Sequence, residues 1–249
     1  MDSITAARSL RGSIGMLAMS WLMDDTTKEK AAARGMPTDD NGAYAIGRLG
    51  VLGDCPADNV VAAAYFWEPD RMRAMVDSGR AAMSPAEGAA IYAEICREHG
   101  AALLTDFGYH EELGEIMAKV VESADPRGAP TFVGWRDMPL PDEAGPARTF
   151  QLAQTMRELR FGRHAVAVQA AGMGPLEAIL SGPAGEWNAE FFGWPRPYPD
   201  VGDLAEAREE IEATTDRLHG KDLDVLTDDE RAQLRELAKA ARAHQRSGG

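Results

Sequence analysis

Along nearly the whole chain, apolar residues return at intervals of three and four, and the alternation by two that builds a half-buried strand is almost absent. Ile4, Ala7, Leu10, Ile14, Leu17 and Trp21 form the first such stripe and predict a helix over about residues 3–23. A shorter helix follows from Asp24 to Arg34, stopped by Gly35 and Pro37. SPAE at 84–87 reads as a capping box, with Pro85 at the first helical position, and predicts a helix of roughly twenty residues. His110 to Ser123 gives the next, with Leu113, Ile116, Met117 and Val120 on one side. TDDE at 227–230 is a second box, opening a last helix that runs to about Arg242. TFVGW, residues 131–135, is the best strand signal, and it is short and broken by Gly134. The expected fold class is mainly α with minor β.

Proline divides the chain. Residues 44–72 read as helix, turn, helix, turn, with Pro56 and Pro69 at helix starts and the run from Val60 to Trp67 as a buried helix. Residues 125–147 carry five prolines and break the helical period, so they are the expected boundary or crossover. Phe132 and Trp135 predict that this segment is packed down. The division expected is an N-terminal helical unit at 1–124, the crossover at 125–147, and a C-terminal unit at 148–249 that ends in an antiparallel helix pair. Residues 44–76 and 155–192 share a loose run of Gly-Arg, Val-Ala and aromatic residues, a hint of duplication.

Charge limits the partners. With 26 Lys and Arg against 40 Asp and Glu, the net charge of −14 repels phosphate backbones and anionic lipid heads. The apolar stretch at 14–23 is too short to span a bilayer and is followed by DDTTKEK, so it reads as part of the mature protein. Cys55 and Cys96 lie far apart, without metal-ligand or redox spacing, and predict a reducing, cytoplasmic setting. His99 and His110 match no metal motif, and GRLGVLGD lacks the lysine and the preceding strand of a phosphate cradle. The sequence therefore names neither a metal nor a cofactor.

LRFGRHAVAVQAAGMGPLEAIL, residues 159–180, has the layout of a helix-turn-helix: a basic helix end, small residues, an AGMG turn and another short helix. A reading head for DNA needs donors matched to bases and phosphates. Between Gly172 and Gly193 there is no Lys or Arg, whereas Glu177, Glu186 and Glu190 are present. The expectation is helix-turn-helix geometry without DNA readout. Just upstream, Arg157, Arg160 and His164 fall at i, i+3 and i+7 on one helical face. Such a face can clamp a carboxylate or phosphate; equally, its arginines can pair with acids of the closing helices around a core His164. His164 with Glu158 is the candidate acid–base pair. Trp135, Trp187, Phe191 and Trp194, in and after the Pro-rich segments, are the candidate aromatic walls of a ligand pocket, with ordinary packing as the other reading.

Three stretches carry a family resemblance: GRLGVLG…VVAAAYFWEPDRM at 47–72, the segment at 159–180, and EFFGWPRPYPD at 190–200. They resemble an actinobacterial helix-turn-helix family whose members look like two MarR-type winged-helix units in one chain, over residues 40–240. Arg157, Glu158, Arg160 and His164 fill the places of its middle motif, while Phe161 and Arg163 depart from its small and acidic residues. The resemblance implies two winged-helix-like units and a homodimer through the terminal helices. The combined expectation is a small-molecule-binding sensor or metabolic accessory protein that has lost DNA binding. The alternatives are a MarR-like DNA-binding transcription regulator and an enzyme using His164 on a repurposed winged-helix scaffold.

Overall fold

The computed structural model describes residues 1–39, 41–202 and 204–248. The chain opens with α1 (Ser3–Leu10), α2 (Ile14–Met19), α3 (Asp25–Ala33) and α4 (Gly42–Arg48), then a 3-10 turn at Gly50–Leu52. After it come α5 (Ala57–Ala64), α6 (Pro69–Ala82), α7 (Pro85–Leu103), α8 (His110–Ser123) and α9 (Pro130–Asp137). The remainder is α10 (Pro146–Ala170), α11 (Pro175–Leu180), α12 (Gly185–Phe191), α13 (Ala205–Asp222) and α14 (Asp228–Ser247). No strand occurs among the described residues, so there is none from which a wing could be built. TFVGW, expected as a strand, lies inside α9: Pro130 starts a helix there, and the period of three places Phe132 and Trp135 together in the core.

The capping box at Thr227 forms in full, whereas at Ser84 only the serine's half of the expected box is made. Ser84 Oγ accepts from the Glu87 amide, and Thr227 and Glu230 satisfy each other's backbone N–H groups. The first stripe is buried as expected from Ala7 to Trp21, but its helix breaks at residues 11–13, where Ser13 turns its hydroxyl back onto the Ser9 carbonyl. Ile4, at the far end, is exposed. The Val60–Trp67 run is helical only to Ala64. Tyr65, at φ 54° and ψ −55°, then makes a γ-turn in which the Phe66 amide donates to the Ala64 carbonyl at 2.7 Å. The closing helices do not form the expected pair with each other. α13 lies along α1 and α10, while α14 packs on α1, α2 and α8.

α10 is the axis. Its 25 residues, about 38 Å long at the α-helical rise, touch α2, α7, α8, α9 and α13. No residue of α10 from Pro146 to Ala165 is exposed, solvent reaching the helix only at Val166, Gln169 and Ala170, and Gln151, Gln154, Thr155, Glu158 and Arg163 are interior together with Phe150, Met156 and Leu159. Interior polar groups must be hydrogen-bonded, and these are. Gln151 bridges the Pro139 carbonyl and Arg97; Gln154 accepts from Trp21 Nε1 and donates to Glu158. Arg163 forks onto Asp222 and also donates to the carbonyls of Asp125 and Arg127. One buried apolar cluster runs from Ala6 to Ala241, with Phe132 and Trp135 of α9 inside it.

Close approach of α7 to α10 depends on Gly100, where an added Cβ would stand 2.1 Å from Phe150 Cβ. Gly100→Ala is expected to destabilise the chain by about 1–3 kcal/mol through overpacking, despite alanine's helix-propensity gain of about 1 kcal/mol. The midpoint of urea denaturation should fall; a rise would show that the helices do not meet there.

Candidate functional site

Glu158 has no exposure and is held by four donated hydrogen bonds. Arg48 forks onto it, Nε to Oε1 at 2.8 Å and Nη2 to Oε2 at 2.7 Å, and Gln154 Nε2 and Arg157 Nη1 each reach Oε1 at 2.7 Å. Arg48 is equally buried, donates to Tyr44 Oη, and lies 4.8 Å over the Phe161 ring. Burial acts to raise the Glu158 carboxyl, but Arg48 and Arg157 outweigh it and hold it at about 2. Glu158 is thus committed to structure. No hydrogen bond joins it to His164, whose Nδ1 instead meets Thr215 Oγ1, so the structure does not assemble the expected acid–base pair.

The other members of the predicted face do converge. Arg157, Arg160 and His164 all line a cleft of about 220 Å³ between α10 and the α1–α2 corner, with Arg11 from that corner and His219 from α13. Leu10, Ile14, Met16, Met19, Met156 and Phe161 give it apolar walls, and no carboxylate side chain lines it among the described residues. Behind the wall stand Glu212 and Asp216 of α13. Glu212 receives Arg160 at 2.9 Å, Arg11 at 3.2 Å and Arg208 at 3.5 Å; Asp216 receives Arg8 and Arg11, both at 3.1 Å. Four guanidinium groups therefore share two carboxylates, a local cation excess in a chain of net charge −14.

Burial pushes the Arg157 and Arg160 guanidinium groups below the ordinary arginine range, against the opposing pull of Glu158 and Glu212 respectively. Arg160 Nε is buried without a hydrogen-bond partner. A desolvated cation with unused donors gains from an anion placed beside it. His164 is lowered to about 4, first by burial, with Arg160, Arg208 and Arg11 adding to the effect and Glu212 opposing it. At pH 7 it is neutral. The γ-turn at Tyr65 swings Phe66 against this end of α10, 5.8 Å from the rings of both Phe161 and His164.

The aromatic candidates lie elsewhere. Trp135 is core, its Nε1 donating to the Arg48 carbonyl at 3.1 Å. Trp187 is 67% exposed and stacks on Phe191 at 5.7 Å, while Trp194 donates to the Phe66 carbonyl. None of these four lines the cleft, because α11 and α12 carry the last three beyond the C-terminal end of α10. Arg48, Arg11, Thr215 and His219 escaped the sequence reading. Arg48 had a readable signal, since an arginine flanked by Ile46, Leu49 and Val51 has to be paired if that run is buried.

The helix-turn-helix layout is present in α10, α11 and α12. α10 ends in a left-handed Gly172 at φ 69°, with the Met173 amide donating to Val168 and the Gly172 amide to Gln169, a Schellman ending. Glu177 reaches back to the Gly174 amide and opens α11. A helix-turn-helix family model matches this chain over residues 7–201. No curated protein and no solved structure matches it.

The Glu158 carboxylate stabilises the fold above the ordinary carboxyl range and loses that contribution as pH falls through about 2. Glu158→Gln should lower stability at neutral pH by about 3–5 kcal/mol, the cost of stranding Arg48. The gap from the parent protein should shrink between about pH 4.5 and pH 2. Guanidinium denaturation across that range checks both points, and a gap independent of pH would contradict them.

Proposed function

This chain belongs to the helix-turn-helix family, and from that premise we propose that it binds a small organic anion with an apolar body in the cleft between α10 and the α1–α2 corner, as a sensor or metabolic accessory protein. The observation that carries this reading is the wall composition: three arginines, two histidines, aliphatic, methionine and phenylalanine side chains, and no carboxylate. Pockets for drug-sized ligands span about 300–1,000 Å³. At about 220 Å³ this cleft suits a smaller metabolite.

Loss of DNA binding is part of the same proposal. α11 and α12 present Glu177, Glu186 and Glu190 and no Lys or Arg, and the nearby Arg196 is paired with Glu186 at 2.8 Å. Contact with a duplex would gain little from counter-ion release there. The second reading, a DNA-binding regulator, is favoured by the family match itself, since the fold is of DNA-binding type. Catalysis by His164 has weaker support, because a base titrating near pH 4 is poorly poised for proton abstraction at neutral pH.

Calorimetric titration with 3-phenylpropanoate is expected to show one-site binding that weakens with added salt and falls at least about tenfold in Arg160→Gln. Absence of binding, or equal affinity in the variant, would remove the anion reading. In a gel-shift assay at near-physiological salt, duplex DNA should give no sequence-selective complex; a tight selective one would transfer the conclusion to the regulator reading.

A further inference from the structure

Resting on the anion-binding reading of the cleft, we infer that its ligand is a hydroxylated organic acid, whose O–H donates to Nε2 of His164 while its anionic group meets Arg157 and Arg160. The argument starts from Thr215, on α13. Its Oγ1 stands 2.8 Å from the Ile211 carbonyl and 3.0 Å from His164 Nδ1. A carbonyl oxygen cannot donate, so the 2.8 Å oxygen–oxygen contact requires the single hydroxyl proton of Thr215. The hydroxyl is then left as an acceptor toward His164, and Nδ1 must carry the imidazole proton.

In the neutral ring this leaves Nε2 as a bare lone pair. Neutrality follows from the surroundings: the ring is largely buried, Arg160, Arg208 and Arg11 disfavour a further positive charge, and Glu212, which opposes them, is itself shared by those three arginines. Nε2 makes no hydrogen bond within the chain among the described residues. The polar lining of the cleft is therefore of two kinds. Arg157 and Arg160 offer N–H donors beyond those already bonded to Glu158 and Glu212, and His164 offers an acceptor one helical turn from Arg160.

An anion without a donor would satisfy the arginines and strip water from Nε2 with nothing to replace it. A hydroxyl next to the anionic group answers both at the spacing of Arg160 and His164. The same geometry makes His164 a positioning and selecting residue.

The test uses the full chain with two matched probes, 3-phenylpropanoate and its 2-hydroxy analogue 3-phenyllactate. The hydroxy acid is expected to bind at least about tenfold more tightly. His164→Phe should erase that margin while leaving 3-phenylpropanoate bound, and His164→Gln, which places an amide oxygen where Nε2 stood, should retain part of it. Imidazole nitrogen NMR of the unmutated protein needs no variant to fold: it should show Nδ1 protonated and Nε2 bare at neutral pH, with Nε2 moving only when the hydroxy acid is added. Equal binding of the two acids, a margin that survives His164→Phe, or a proton found on Nε2 would overturn the inference and leave the anion site standing. Failure of both acids to bind would remove the anion site and this inference with it.

Discussion

A carboxylate at zero exposure is intolerable to a protein interior unless donors surround it, and Glu158 lies in that position at the middle of the central helix. The fork from Arg48 answers it and ties α4 to α10. The Arg48 carbonyl in turn receives the Trp135 indole, which brings α9 to the same point. Three helices are thus registered on one charge pair. Because no residue of α10 from Pro146 to Ala165 is exposed, a turn about its axis by one residue would unseat Glu158 from its donors and bring the core residues Phe150 and Leu159 against the wrong neighbours. The pair is better understood as fixing the rotation of α10 than as adding stability, since buried ion pairs return little over an apolar equivalent.

That rotation decides the character of the cleft. With Glu158 turned inward, Arg157, Arg160 and His164 come to face the α1–α2 corner. The two guanidinium groups are largely withdrawn from solvent, so Arg157 leans on Glu158 and Arg160 on Glu212, and Arg160 keeps Nε in reserve. A cluster of cations with apolar walls concentrates field in an otherwise acidic molecule and favours a small anion over a polyanion. The acidic α11 and α12 follow the C-terminal end of the same helix, so one element carries both the helix-turn-helix layout and the cationic cleft.

Much of the helical layout was legible in the residues. The N-caps at Ser84 and Thr227, prolines at helix starts and the stripe from Ala7 to Trp21 each specify local structure by chemistry that acts within a turn or two. TFVGW misled because a β-branched and aromatic run does not by itself separate a buried strand from a buried helix. The break at residues 11–13 and the γ-turn at Tyr65 depend on single backbone geometries to which periodicity is blind. Of the site, the spacing of Arg157, Arg160 and His164 was readable because it lies within one helix. The contributions of Arg11, Thr215 and His219 were not, since they arrive from α13 and the α1–α2 corner through tertiary packing. The aromatic candidates failed for the same reason: closeness in sequence to prolines says nothing about which cavity a ring faces.

The central claim is that the cationic cleft on α10 is where a small organic acid sits. It is tested most directly by a crystal structure of the protein soaked with 3-(4-bromophenyl)propanoate, in which the bromine is located by its anomalous scattering. The account predicts one peak among Met16, Met19 and Met156, with the carboxylate turned to Arg157 and Arg160. Bromine found only against the exposed Trp187–Phe191 stack, or no ordered peak in the cleft at saturating soak, would contradict it.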